Sequence, residues 1–274
     1  MQRHFINRSN DGGIMKKETK TFSRRDFIKT GTGTLAALGV AAGSLPLLDG
    51  VLNAAGKKTP VVIAHNPKAI NNRNRCDANE VSKMFDQSLT ALTGQKTTAA
   101  AWAALGLKKN DVVAVKVNCN TWTIKLVPHM ELVDAMCKSL SSVIPLSNII
   151  IYERSTRDLE SGGFKYYKGD KHVQHFGNND GGGYDSKQRL TRIVTDTATK
   201  VINLASLKCV DGSFGASLFF KNHIGTLPDS DMSNCHGDLD FMVEVNARPA
   251  IAHKTLLNIC DALRGTYRRG VPWY

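Results

Sequence analysis

Three β-branched, apolar runs constrain this chain more than anything else in it: Val112-Val113-Ala114-Val115-Lys116-Val117-Asn118, Asn148-Ile149-Ile150-Ile151-Tyr152-Glu153 and Val201-Ile202-Asn203-Leu204. They are too continuously apolar for strands with one wet face, and read as strands buried on both faces, which is the habit of parallel sheets covered by helices. Helical patterns lie between them. Asp77 can cap a helix through Val81, Met84, Phe85, Leu89 and Leu92 to Gly94, and Thr97 or Thr98 a second through Trp102 and Leu105 to Gly106. Pro128 stands where a third can begin, with Leu132, Val133, Met136 and Leu140 as its apolar stripe. Pro60 to His65 reads as a first strand, Leu256 to Leu263 as a last one, and Asp238 as the cap of a helix bearing Leu239, Met242 and Val243. Strand alternating with helix implies a single α/β domain, its mostly parallel or mixed sheet flanked by helices.

One strand carries a charge where none is expected. Lys116 and Asn118 share a face with Ala114, opposite Val115 and Val117. A lysine at the carboxyl end of a central strand must reach water or find a carboxylate or anion. Open α/β sheets bind their ligands at those ends. The alternative is a lysine whose stem is buried and whose head reaches solvent.

The stretch from Val201 to Gly225, VINLASLKCVDGSFGASLFFKNHIG, combines a strand, a glycine-bearing turn from Asp211 to Gly215, and a helix start at Ala216 to Phe220. Amides of a turn and of a first helical turn lack partners and attract anions. Here the N–H groups of Phe214 and Gly215 would be those donors, with Lys208 and Lys221 flanking the turn.

Residues 1–55 read as an export leader. Ser23-Arg24-Arg25-Asp26-Phe27-Ile28-Lys29 matches the twin-arginine pattern S/T-R-R-x-F-L-K, with Ile28 for the usual Leu. A moderately apolar stretch from Gly31 to Leu48 comes next. No clean A-x-A cleavage site is present; Ala54 or Ala55 is the best placed, and either Met1 or Met15 can be the start. Such a leader implies handling by the twin-arginine translocase and a periplasmic or other extracytoplasmic destination. That translocase carries proteins that have already folded, so a cofactor loaded beforehand is compatible with it, as are fast or oligomeric folding. Beyond the leader no apolar run is long enough to span a bilayer.

The chain carries a net charge of +12; without the leader, 28 basic and 20 acidic residues leave +8. That excess suits an anionic small molecule. Nucleic acid is excluded as the expected partner, because no basic run is interleaved with aromatics and the chain is exported. None of the six cysteines is spaced as CxxC or as a ferredoxin cluster, so no iron–sulfur site is expected. Cys137 and Cys260 sit in apolar patterns as core thiols, and at most one disulfide is expected.

From Arg157 to Arg189 the chain is polar and glycine-rich and reads as one long loop, with a short strand after it at Arg192 to Thr195. His172 and His175 in that loop make a weak metal pair. Asp229, Asp231, Cys235, His236 and Asp238 match neither a calcium loop nor a zinc spacing. No GxSxG, Walker loop, HExxH, or GxGxxG after a strand is present.

Three segments in order resemble domain of unknown function family 362, in its twin-arginine-exported branch: VAVKVN with Lys116 and Asn118, the 201–225 stretch with Lys208, Lys221, Asn222 and Gly225, and LLNICDAL with Asp261. The resemblance implies an α/β fold and a site at these residues, and no established activity. The family often has His soon after the turn lysine, where Cys209, Val210 and Asp211 stand here. Its members usually continue past the Asp261 strand, so the expected α/β domain, residues 56–274, would be truncated at its C-terminus.

The residues support two readings. In the first, Lys116, Asn118, Lys208, Lys221, Asn222 and Asp261, with the amides of Phe214 and Gly215, line a cleft for an anionic small molecule or cofactor, and one lysine acts as a base. In the second, the protein is a non-catalytic periplasmic binding or accessory protein of a redox system. The sequence names no cofactor and no substrate.

Overall fold

The strands and helices around the three apolar runs assemble as one sheet with a helical layer on each face. The structure is a computed structural model, and it describes residues 48–54, 57–71, 73, 75–120, 126–209, 217–235, 238–267 and 271–272. All of these belong to the compact unit of residues 45–274. The chain begins with a hairpin, β1 (Leu48–Ala54) paired antiparallel with β2 (Lys57–Ile63). Then come α1 (Ala78–Thr93), α2 (Thr98–Ala104), β3 (Val113–Lys116), α3 (Met130–Leu140), β4 (Ile149–Glu153), α4 (Thr156–Ser161) and β5 (Gln174–Gly177). The second half holds β6 (Lys200–Leu207), α5 (Phe219–Asn222), α6 (Asp229–Met232), α7 (Leu239–Ala247), α8 (Pro249–Ala252), β7 (Thr255–Tyr267) and β8 (Val271–Pro272).

The main sheet has the order β5-β4-β3-β6-β7-β8, with the first five strands parallel and β8 antiparallel to β7. From β3 the chain steps outward through β4 to β5, then returns to the other side of β3 with β6 and β7. The order therefore reverses between β3 and β6. In open α/β sheets such a reversal opens a crevice beyond the carboxyl ends of the two strands, because the connections leaving them run to opposite faces.

Alternation along each strand divides the core. Val113, Val115, Ile149, Ile151, Ile202 and Leu204 face α1, α2 and α3, against Val81, Phe85, Trp102, Met136 and Leu140. Ala114, Ile150, Tyr152 and Val201 face the other layer, against Ile193, Ile224, Met242, Val245 and Ile251. Trp102 Nε1, buried in this core, donates to Ser139 Oγ at 3.0 Å. α1 is bounded as its sequence requires. The Asp77 carboxylate accepts from the amides of Asn79 and Glu80, and Gly94 ends the helix at φ 70°, a left-handed value that suits glycine.

Three expectations are corrected. The Pro60 run does form a strand, but in the hairpin with β1 rather than in the main sheet, and it packs on α1. The segment from Arg157 to Arg189 is not one long loop, since it contributes most of α4 and the edge strand β5. Residues 193–197 form a π-helical turn instead of a strand. Its end carbonyls, those of Val194, Thr195 and Ala198, all accept from Lys254 Nζ at 2.7 to 3.0 Å.

Replacing Asp77 with Ala removes the acceptor for two orphan amides and is expected to lower stability by about 1 kcal/mol. Asp77→Ser should restore most of the loss. Urea unfolding of the three proteins, with equal m-values, is the check.

Candidate functional site

Lys116 ends β3 and Glu153 ends β4, and the two strands are neighbours in parallel register, Lys116 opposite Tyr152. Their side chains meet below the surface: Lys116 is 1% exposed and Glu153 4%. Lys116 Nζ donates to Glu153 Oε1 at 2.5 Å and to the carbonyl of Val117 at 2.7 Å, with Asn222 Oδ1 at 3.5 Å. Glu153 also accepts from the amide of Arg154 on Oε1 and from that of Cys119 on Oε2, each at 2.8 Å. A charge pair is tolerated in so dry a place only when its remaining donors and lone pairs are satisfied. That condition is met here, and the pair has little capacity left for a ligand.

Two residues of the 201–225 stretch close over the pair. The Asn222 amide donates to the carbonyls of Lys116 and Leu204 and to Asn203 Oδ1, at 2.8 to 3.2 Å. It thereby sews the end of β3 to β6. Gly225 lies so close that a methyl group on it would stand 2.5 Å from Glu153 Oε1 and 2.8 Å from Lys116 Nζ. His223, fully buried in the same turn, has its pKa pushed down to about 3 by desolvation and then by the charge of Lys116. It is a neutral imidazole at physiological pH.

Lys208 is the second buried lysine, 4% exposed. Strict alternation would give it the face of Ile202 and Leu204. The pairing of β6 with β7 shifts register between Ser206 and Leu207, with the extra residues, 262–264, on the β7 side, and Lys208 lies just past the end of β6 in an isolated bridge with Ser217. Lys208 Nζ reaches back across the β3–β6 reversal to Asn118 Oδ1 at 2.6 Å and to the carbonyl of Asn120 at 3.2 Å. Among the described residues, no carboxylate forms a salt bridge with it. Desolvation pushes its pKa down to about 8; the charges of Glu153 and the Cys119 thiol oppose the fall, and that of Lys116 adds to it.

Lys116, Asn118, Lys208 and Asn222 thus stand together at the carboxyl ends of β3 and β6. Lys221 is half-buried in α5; burial pushes the pKa of the Cys235 thiol up, and the charge of Lys221 opposes part of that rise. Asp261 shares the opposite face with Leu257 and Ile259. It accepts from the His129 amide at 2.7 Å and meets His129 Nδ1 at 2.8 Å, which places a carboxylate at the start of α3. Phe214, Gly215 and His236 lie outside the described residues. Glu153 was not among the sequence candidates. The signal for it was an acidic residue ending an otherwise apolar strand, the mirror of Lys116 on its neighbour.

Among the described residues no three His, Cys, Asp or Glu side chains group to hold a metal ion. His175 Nδ1 lies against the carbonyl of Lys165, His172 packs on Tyr167, Asp231 pairs with Arg189, and Asp238 caps α7. All six cysteines are free thiols.

A family model described as the Ubiquitinol-cytochrome C reductase Fe-S subunit TAT signal matches residues 14–51. The chain therefore carries a twin-arginine signal, is handled by that translocase and is exported to the extracytoplasmic space. The match covers the leader and the first residues of β1, and none of the main sheet. No curated protein and no solved structure matches the chain. Among the described residues no helix is long and apolar enough to cross a membrane.

Glu153→Gln leaves Lys116 buried without its counter-charge, and is expected to cost about 3–5 kcal/mol in urea unfolding. The double variant Glu153→Gln, Lys116→Met should regain much of that loss, since both charges are then gone. Gly225→Ala should also destabilise, by about 1–3 kcal/mol, because the methyl group displaces the pair.

Proposed function

We propose that this exported α/β protein binds an anionic small molecule in the crevice between β3 and β6, with Lys208 as the charge that the ligand neutralises. The observation that carries the reading is a buried ammonium with two neutral acceptors and, among the described residues, no carboxylate partner. An isolated charge in such a place costs several kcal/mol, and the group either gives up its proton or gains an anion. Glu153 cannot serve both lysines, because its oxygens are held by Lys116 and two amides. Asn118 orients the Lys208 head. The turn amides of Phe214 and Gly215 are the donors that the sequence places beside Lys208, suited to a carboxylate or phosphate.

The arrangement favours binding over acid–base chemistry at Glu153, whose two oxygens already accept from Lys116 and two amides. Catalysis at this site would run through the Lys208 amine, which burial holds below its ordinary pKa. The same residues make membership of domain of unknown function family 362 and a periplasmic destination part of this proposal. Lys221 and Asp261, which stand apart from the buried network, are read as supporting the fold around the crevice.

Burial lowers the folded-state pKa of Lys208 below that of the unfolded chain, from the ordinary 10.5 to about 8. The destabilisation from its buried charge is fully present below about 8, and is relieved as pH rises from there toward 10.5. Wild type minus Lys208→Met stability, measured by urea unfolding, should therefore rise across that window and stay flat below it. Calorimetric titration with phosphate and with acetate at pH 7 should give binding that Lys208→Gln abolishes and Lys221→Gln retains. Binding that survives Lys208→Gln refutes the reading.

A further inference from the structure

A second opening lies beyond the carboxyl ends of β4 and β5, a cleft of about 310 Å³ lined by Arg154, Ser155, Asn179, Tyr184 and Asp229. That volume suits a small molecule. Its charges are unequally occupied. The Arg154 charge is paired, with Nε and Nη2 on the two oxygens of Asp158 at 2.9 and 3.3 Å. Ser155 Oγ donates to the same carboxylate at 2.8 Å. Asp229, on the other wall, has neither a hydrogen bond nor an ion pair among the described residues, although its charge raises the pKa of both Arg154 and Tyr184. Counting Asp158 behind Arg154, the cleft holds one positive and two negative charges, and the unmatched one is the carboxylate of Asp229.

The aromatic wall is fixed in place. Tyr184 Oη accepts from Asn178 Nδ2 at 3.2 Å, and the same amide donates to the Gly225 carbonyl at 2.9 Å. Burial pushes the Tyr184 phenol above its usual pKa and the Asp229 charge adds to that shift, so the ring carries no competing negative charge of its own. Asn178 is wholly buried, and its Oδ1 has no hydrogen-bond partner among the described residues. The groups left without a protein partner in and behind this cleft are therefore acceptors: the exposed carboxylate of Asp229 and the buried amide oxygen of Asn178 behind Tyr184.

We propose that this cleft is a binding site for a small primary amine in its ammonium form, the alkyl group against Tyr184 and the cation on Asp229. An ammonium satisfies a lone carboxylate and is attracted to an aromatic face. An anion would be repelled by Asp229 and would find the Arg154 charge already balanced by Asp158. The site is separate from Lys208 and does not rest on the crevice reading.

The test uses n-propylamine, 1-propanol and propionate as probes on the full chain at pH 7 and low salt, by saturation-transfer NMR and calorimetry. Propylammonium should bind, with propanol and propionate weaker by at least about tenfold. Added salt should weaken binding, as expected for a partly exposed charge. Asp229→Asn, an exposed substitution that leaves the core untouched, should abolish preference for the amine over the alcohol, and Tyr184→Leu should weaken binding of both. Lys208→Gln should leave amine binding unchanged, so failure of the crevice reading and failure of this one are told apart. Equal binding of amine and alcohol to the wild type, unaltered amine binding in Asp229→Asn, or no amine binding at all overturns the proposal.

Discussion

Everything at the carboxyl edge of this sheet is arranged around one buried ion pair, Lys116 with Glu153. Both charges must leave water, and the attraction between them compensates only if every other hydrogen-bonding position is filled. That requirement accounts for the surroundings. The amides of Cys119 and Arg154 turn inward to the carboxylate, the Val117 carbonyl takes a lysine proton, the Asn222 side chain binds the end of β3, and the chain at Gly225 carries no side chain. Such a pair adds little net stability over apolar packing. Its consequence is placement, since it fixes the 222–226 turn over the ends of β3 and β4.

The same pair decides the state of Lys208. With Glu153 fully occupied, the second lysine is buried beside a neutral amide and a carbonyl, across the point where the strand order reverses. The strand order reverses between β3 and β6, and Lys208 stands just past the end of β6 beside that reversal. Fold and electrostatics therefore converge on one position, for independent reasons. The reversal would exist without the lysine, and the depressed pKa would exist without the reversal.

Much of this was legible in the sequence. The three apolar runs are the three central strands, because β-branched side chains packed on both faces leave no polar alternation. α1 was legible from Val81, Phe85 and Leu89 and from its caps at Asp77 and Gly94. The edge strand β5 was not, since Gln174 and His175 are only half-buried and nothing periodic distinguishes four such residues from loop. Residues 193–197 have a strand's composition, yet Lys254, distant in sequence, satisfies the end of a π-helical turn there. At the site, the position of Lys116 and Asn118 on one face could be counted from the alternation. That Glu153 answers Lys116 depends on β3 and β4 being neighbours, and that Lys208 meets Asn118 depends on β3 and β6 being neighbours. Neither is encoded locally. Asp261 sits on the face of Leu257 and Ile259, and its position at the end of an apolar strand, like that of Lys116, did not reveal its partner.

The most direct measurement is of the Lys208 amine itself. Carbon-13 NMR of lysines labelled at Cε resolves each amine's titration, and the resonance missing from Lys208→Gln identifies the one in question. The account predicts that this resonance titrates near 8 and moves upward when phosphate is added. A Lys208 resonance that titrates with the surface lysines, or one that ignores every anion offered, contradicts it.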